Sequence, residues 1–151
     1  MRHGHAPSVT EARVATDAER PLSEKGKADA RAQAQALKDS GGKPALILHS
    51  PLRRAAETAA EAAAVLGVPA KPFAPLENQL GPDDLGRELA APLAKAGELL
   101  AVGHQPQVGE LCAWLAGRVF EFRPAGMVAL HLEGGLAPNG AILLFDRGAS
   151  L

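Results

Sequence analysis

The chain has 151 residues, 46% of them hydrophobic, with 16 basic and 17 acidic side chains and one cysteine. That length suits a single domain able to bury its own core. The formal net charge of −1 argues against bulk nucleic-acid binding and a polybasic membrane patch, and one cysteine excludes an intramolecular disulfide. No apolar run is long enough to span a bilayer and no apolar leader of secretory type opens the chain, so the cytoplasm is the expected location.

Residues 6–20 are polar and weakly periodic and read as a loop. The stretch PLSEKGKADARAQAQALKDSGG reads as a helix, with Ser23 as its N-cap and Gly41 and Gly42 at its end. Its buried face is mostly alanine, which favours close packing on a neighbour. ALILHS (45–50) is a short continuous apolar run, the pattern of a buried strand. A helix follows in PLRRAAETAAEAAAVLG, with Ala55, Ala59, Ala62, Ala63 and Leu66 at helical spacing and Gly67 closing it. AKPFAPL reads as a short strand and loop. DDLGRELAAPLAKAG reads as a helix in which Pro92 kinks or divides the element. LLAVGH (99–104) is a second buried strand, and PQVGELCAWLAG a further helix. VFEFR, GMVALHLE and AILLFD are three strand candidates, the last two joined by the hairpin signal of LAPNGA. Strands alternating with helices predict an α/β fold: a three-layer sandwich with a mostly parallel central sheet flanked by helices, spanning 1–151 as one domain.

In such sheets ligands bind beyond the carboxyl ends of the strands. Two predicted strands run into reactive residues there, one into His49, Ser50 and then Arg53 and Arg54, the other into His104. Two helix N-termini point to the same edge and favour an anion. Cations in a first helical turn oppose the helix dipole, a conflict that a bound anion would remove for Arg53 and Arg54. If the opening MRHGHA lies at this edge too, Arg2 and His3 complete a pocket of at least two arginines and two histidines. Gly4 would then let backbone approach the ligand closely. Arginine suits bidentate contact with phosphate oxygens, a neutral imidazole can attack phosphorus, and a second, protonated one can stabilise the equatorial oxygens. Such a site needs no metal or cofactor.

RHG at the start, RPLSEKG (20–26), SPLRRAAET (50–58) and VGHQP (102–106), in this order, resemble the histidine phosphatase superfamily, with its phosphoglycerate-mutase-like fold. The short chain, without a large inserted cap, resembles its small phosphohistidine phosphatase branch. The resemblance implies that His3 is the nucleophile that becomes phosphorylated. It implies that Arg2 and Arg54 clamp the phosphoryl group, that Arg53 does not, and that His104 is the second histidine at the centre. Arg20 would hold substrate phosphate at the pocket mouth, with Gly4 and Ser50 also on the substrate side. The implied partner is a phosphorylated protein, such as a histidine phosphotransfer domain. The implied rivals are a phosphatase of a small phosphorylated metabolite and a phosphate- or phosphoprotein-binding module that has lost catalysis.

The sequence departs from the family in two places. The family has a hydrophobic central strand immediately before RHG, whereas here Met1 stands in the place of its last residue. The expectation is a first strand missing or truncated, with unpaired backbone and apolar surface facing the gap. Many members also carry a glutamate as general acid in the loop near residue 79, where this chain has Gln79; Glu77, Asp83 and Asp84 are nearby and unplaced. A phosphoimidazole is activated once protonated, whereas an alkoxide leaving group needs a proton, so this departure leans toward a phosphohistidine substrate.

The remaining conspicuous residues read as structural. H-x-H at 3–5 lacks a close carboxylate or cysteine and is a weak metal signal. His49 reads as packing or rim, His131 as exposed, Cys112 as core and Trp114 as core or partly exposed. No G-x-S-x-G surrounds Ser50, whose hydroxyl is expected to cap the following helix.

Overall fold

The computed structural model describes residues 1–150. Strands β1 (Leu46–His49), β2 (Ala70–Pro72) and β3 (Leu99–Val102) form a parallel sheet in the order β2-β1-β3. Strands β4 (Met127–Leu132) and β5 (Ala141–Arg147) form an antiparallel hairpin with a bulge between Ala129 and Leu130. The helices are α1 (Val9–Ala12), α2 (Glu24–Asp39), α3 (Arg53–Leu66), α4 (Pro82–Ala96) and α5 (Gln107–Ala116).

The layers follow from side-chain alternation. Ile47, Leu100 and Val102 point to one face and pack with Ala30, Ala34 and Leu37 of α2 and Ala55, Ala59 and Ala62 of α3. Leu46, Leu48, Leu99 and Ala101 point to the other, with Leu85 and Leu89 of α4 and Leu111 and Leu115 of α5. The five alanines between α2 and α3 are completely buried, so the two helices approach closely over methyl groups, with an Arg31–Glu61 ion pair at the rim.

The caps at Ser23 and Gly67 fall where the sequence places them, whereas the N-cap of α3 is Leu52, and Ser50 Oγ accepts only the Leu52 N–H just ahead of the helix. Ser23 Oγ accepts the Gly26 N–H, and Gly67 closes α3 at φ 69°. Three other details differ. Within 6–20, Ser8 and Glu11 form a reciprocal capping box that starts α1, and a 3₁₀ turn follows at Asp17–Glu19. Pro92 lies inside α4 without dividing it. VFEFR is not a strand: Phe120 and Phe122 are buried, but the segment pairs with no strand and packs against α5.

The opening residues insert between the two sheets. The Met1 ammonium donates to Ala101 O, Gly103 N–H to Met1 O, and His3 N–H to Gly103 O. On the other side Arg2 N–H donates to Gly126 O and Ala125 N–H to His3 O. Arg2 and Gly103 thus form a parallel bridge, all that occupies the position of the expected first strand. Behind it, an apolar trough of about 550 Å³ separates β3 from β4, walled by Leu100, Ala101, Met127 and Ala129.

Gly4 and Gly26 meet back to back. A Cβ on Gly4 would lie 2.8 Å from Gly26 O, and one on Gly26 would lie 2.3 Å from His5 O. Gly→Ala inside a helix normally stabilises by about 1 kcal/mol. At Gly26 the sign reverses, because the obstacle is backbone; Gly26→Ala is expected to cost about 1–3 kcal/mol, read from chemical denaturation.

Candidate functional site

At the carboxyl ends of β1 and β3 a cavity of about 290 Å³ opens, lined by Arg2, His3, Arg20, Arg54 and His104 together with Asp17, Leu52, Glu77, Asn78 and Gln105. Four of the basic groups are delivered by three separate elements. Arg2 and His3 come from the opening segment, Arg54 from the first turn of α3, and His104 from the end of β3. Thr58, one turn along α3, joins two of these elements: its Oγ1 accepts the Gly4 N–H at 3.0 Å and donates to Arg54 O at 2.7 Å.

The tautomer of His3 is fixed by its own neighbour. Nδ1 lies 2.7 Å from Gly4 O, and a carbonyl only accepts, so Nδ1 carries the proton. Nε2 therefore keeps its lone pair and has no hydrogen-bond partner among the described residues. The His3 and His104 rings stand 5.1 Å apart, centroid to centroid. The pKa of each is lowered to about 4, chiefly by burial, with Arg54 contributing to both and Asp17 partly opposing the shift at His104.

His104 is set by Ser50. Ser50 Oγ accepts the Leu52 N–H, and its own proton has no other acceptor among the described residues than His104 Nε2 at 2.7 Å, so the bond is assigned with Ser50 as donor. Nδ1 of His104 then carries the ring proton and has no partner. With both imidazoles neutral at pH 7, His104 meets an oxyanion as an N–H donor.

Arg54 is half engaged. Its Nη1 donates to Asp17 O at 2.9 Å and its Nη2 to Asp17 Oδ2 at 3.0 Å, while its buried Nε is unpartnered. Arg2 is similar: Nη1 donates to Phe122 O and Nε is unpartnered. The Asp17 carboxyl is held below the usual range, first by its bond from Arg20 and then by Arg54.

Three expected substrate contacts are otherwise occupied. Ser50 is fully buried behind His104 and does not line the cavity. The Gly4 N–H is taken by Thr58, and its missing side chain makes room for α2 rather than for a ligand. Arg20 lines the cavity, but its Nε donates to Pro7 O, Nη2 to Ala6 O and Nη1 to Asp17 Oδ1.

Of the unplaced acids, Glu77 lines the cavity, whereas Asp83 and Asp84 pair with Arg87 on α4. Arg53 pairs with Glu57 on the surface. His5 bonds Ser23, His49 is buried against Ser50 O, and His131 is exposed. Cys112 is buried, its thiol pushed up to about 11 by burial, as a core residue. Sequence reasoning missed Asp17, Asn78 and Gln105. Asp17 lies three residues before Arg20, a spacing that becomes a signal only once 17–19 is known to be a helical turn.

Comparison with known proteins bears on the same residues. The family model for the histidine phosphatase superfamily (branch 1) matches residues 1–83. An uncharacterized protein from Picosynechococcus sp. is 39% identical over 140 residues, covering 87% of this chain and 82% of the relative. The structure of the protein histidine phosphatase SixA complexed with tungstate superposes with a TM-score of 0.82 at 25% identity, covering 98% of this chain and 94% of the other. A protein assigned as the phosphohistidine phosphatase SixA of Nakamurella multipartitia gives 0.83 at 24%, covering 99% and 93%, a likeness of fold.

The neutral histidines have a consequence for stability. Their folded pKa of about 4 lies below the unfolded value of 6.5. Between these values the unfolded chain binds more protons, so their contribution is full above pH 6.5 and is lost as pH falls through 4. The thermal midpoint is expected to fall from pH 6.5 to 5, and a His3→Gln/His104→Gln variant to show a shallower fall.

Proposed function

This chain belongs to the histidine phosphatase superfamily, and from that premise we propose that it is a phosphatase working without a metal, through a phosphohistidine intermediate on His3. We take its substrate to be phosphohistidine on a protein partner of the phosphotransfer type, met in the cytoplasm. The observation that carries the reading is the Nδ1–H bond from His3 to Gly4 O. It leaves Nε2 unprotonated toward the cavity, as a nucleophile requires.

In this mechanism His3 Nε2 attacks phosphorus in line, and the bond to the leaving group breaks with its electron pair. Arg2, Arg54 and the Nδ1–H of His104 face the charge on the equatorial oxygens. Buried nitrogens without a protein partner on all three side chains support that role. Phospho-His3 retains its Nδ1 proton and is therefore a protonated phosphoimidazole, activated for its own hydrolysis. Water attacks phosphorus, the P–N bond breaks, and the pair returns to Nε2. Ser50 is a positioning residue that acts through His104.

The likeness to the tungstate complex of SixA at 25% identity supports the substrate class. So does the basic lining of the cavity, Arg2, His3, Arg20, Arg54 and His104.

Phosphate release from a phosphohistidine-bearing domain, followed in the presence of chelator, tests the reading. His3→Ala is expected to abolish it, and His3 to be the residue labelled by acid-labile phosphate. A His3→Ala chain that still turns over, or a folded wild type with no turnover, refutes it. With an acid-stable aryl phosphate, kcat/KM is expected to fall as pH drops through about 4, where His3 gains a proton, rather than through 6.5.

A further inference from the structure

The cavity has two zones of opposite character. Its floor holds the buried Arg54 and His104 and the partly buried Arg2 beside His3. Its mouth holds Asp17, whose side chain is 61% exposed, and Glu77. Arg20 is the only cation at the mouth among the described lining residues. All three of its nitrogens are engaged by Pro7 O, Ala6 O and Asp17, so it props the carboxylate in place rather than reaching for a ligand. Asp17 is held from the other side by Arg54, the residue that reaches the floor.

An in-line displacement puts the leaving group opposite the nucleophile. With His3 on the floor, that direction is the mouth. A leaving group carrying a second phosphate or a carboxylate would find two carboxylates there and no free cation. A leaving group carrying a positively charged N–H would find an acceptor of opposite charge.

We propose that Asp17 is a specificity-determining residue, whose carboxylate accepts the ring N–H of a phosphorylated imidazole and so selects N-phosphoryl substrates over phosphate monoesters. This rests on the phosphatase reading above and adds to it the residue that reads the leaving group. The substrate ring arrives phosphorylated on one nitrogen and protonated on the other, with a positive charge that Asp17 offsets. His3 Nε2 forms the new P–N bond and the substrate's P–N bond breaks. Its electron pair stays on the departing nitrogen, and the ring leaves as neutral imidazole with its distal proton in place. No general acid is needed, consistent with the ionised state that the two arginines impose on Asp17.

The test compares kcat/KM for a phosphohistidine peptide and for 4-nitrophenyl phosphate in the full chain and in Asp17→Asn. Removing the charge is expected to lower the first and raise the second, so that their ratio falls roughly tenfold or more, the scale of one charge-assisted hydrogen bond. Asp17→Ser, which can also begin the 3₁₀ turn, is the companion variant should Asp17→Asn not fold, and the ratio is expected to fall there too. An unchanged ratio, or equal loss on both substrates, overturns the assignment to Asp17 and leaves the phosphatase reading standing. A folded wild type that turns over neither substrate overturns both.

Discussion

The backbone of residues 1–3 is hydrogen-bonded on both sides, to Ala101 and Gly103 along one flank and to Ala125 and Gly126 along the other. The position of everything in the cavity depends on those bonds. They fix Arg2 and His3 at the carboxyl edge of the sheet, where β3 delivers His104 and α3 delivers Arg54. The Gly4 N–H then continues the same line into Thr58, which is itself bonded to Arg54 O. Two basic residues of the site are therefore spaced by a single threonine hydroxyl. Gly4 and Gly26 are bare because this line of backbone passes directly over α2.

The basic groups are crowded and half-buried, and a single carboxylate, Asp17, is paired with two of them, Arg20 and Arg54. The two imidazoles stay uncharged, as burial disfavours their cations. The two arginines remain charged and divide their donors, some to backbone carbonyls and Asp17, others to nothing in the protein. A buried donor without a partner is costly, and a site carrying several is suited to a ligand rich in acceptors.

Much of this was legible in the sequence, for identifiable reasons. Continuous apolar runs ending in histidine marked β1 and β3, and small residues at helical spacing marked the α2–α3 contact. Arg53 and Arg54 both stood out because cations in a first helical turn are electrostatically misplaced, and only the family resemblance separated Arg54 from Arg53, which pairs with Glu57 at the surface. What was not legible depended on long-range placement. Ser50 reads as a helix cap and does serve Leu52, but its partnership with His104 crosses 54 positions. Arg20 reads as a free clamp because no local pattern shows that Ala6 and Pro7 carbonyls fold back onto it. VFEFR alternates like a strand, yet its alternation buries two phenylalanines against α5 without a ladder partner. Asp17 was hidden for the same reason as Arg20, in a stretch too polar to be periodic.

The trough behind Arg2 gives the molecule a seam of a particular kind. β3 pairs only with β1 beyond the bridge at Gly103, and β4 only with β5, so each turns an open edge toward the other. Neither Leu99–Val102 nor Met127–Leu132 carries a lysine, arginine, aspartate, glutamate or proline, the residues that usually blunt an open edge. Apolar packing across this seam, with the backbone of residues 1–3 at its end, is what holds the two edges together. Ionic strength would do little to screen it, which sets it apart from the cavity beyond, whose lining is mostly charged or polar.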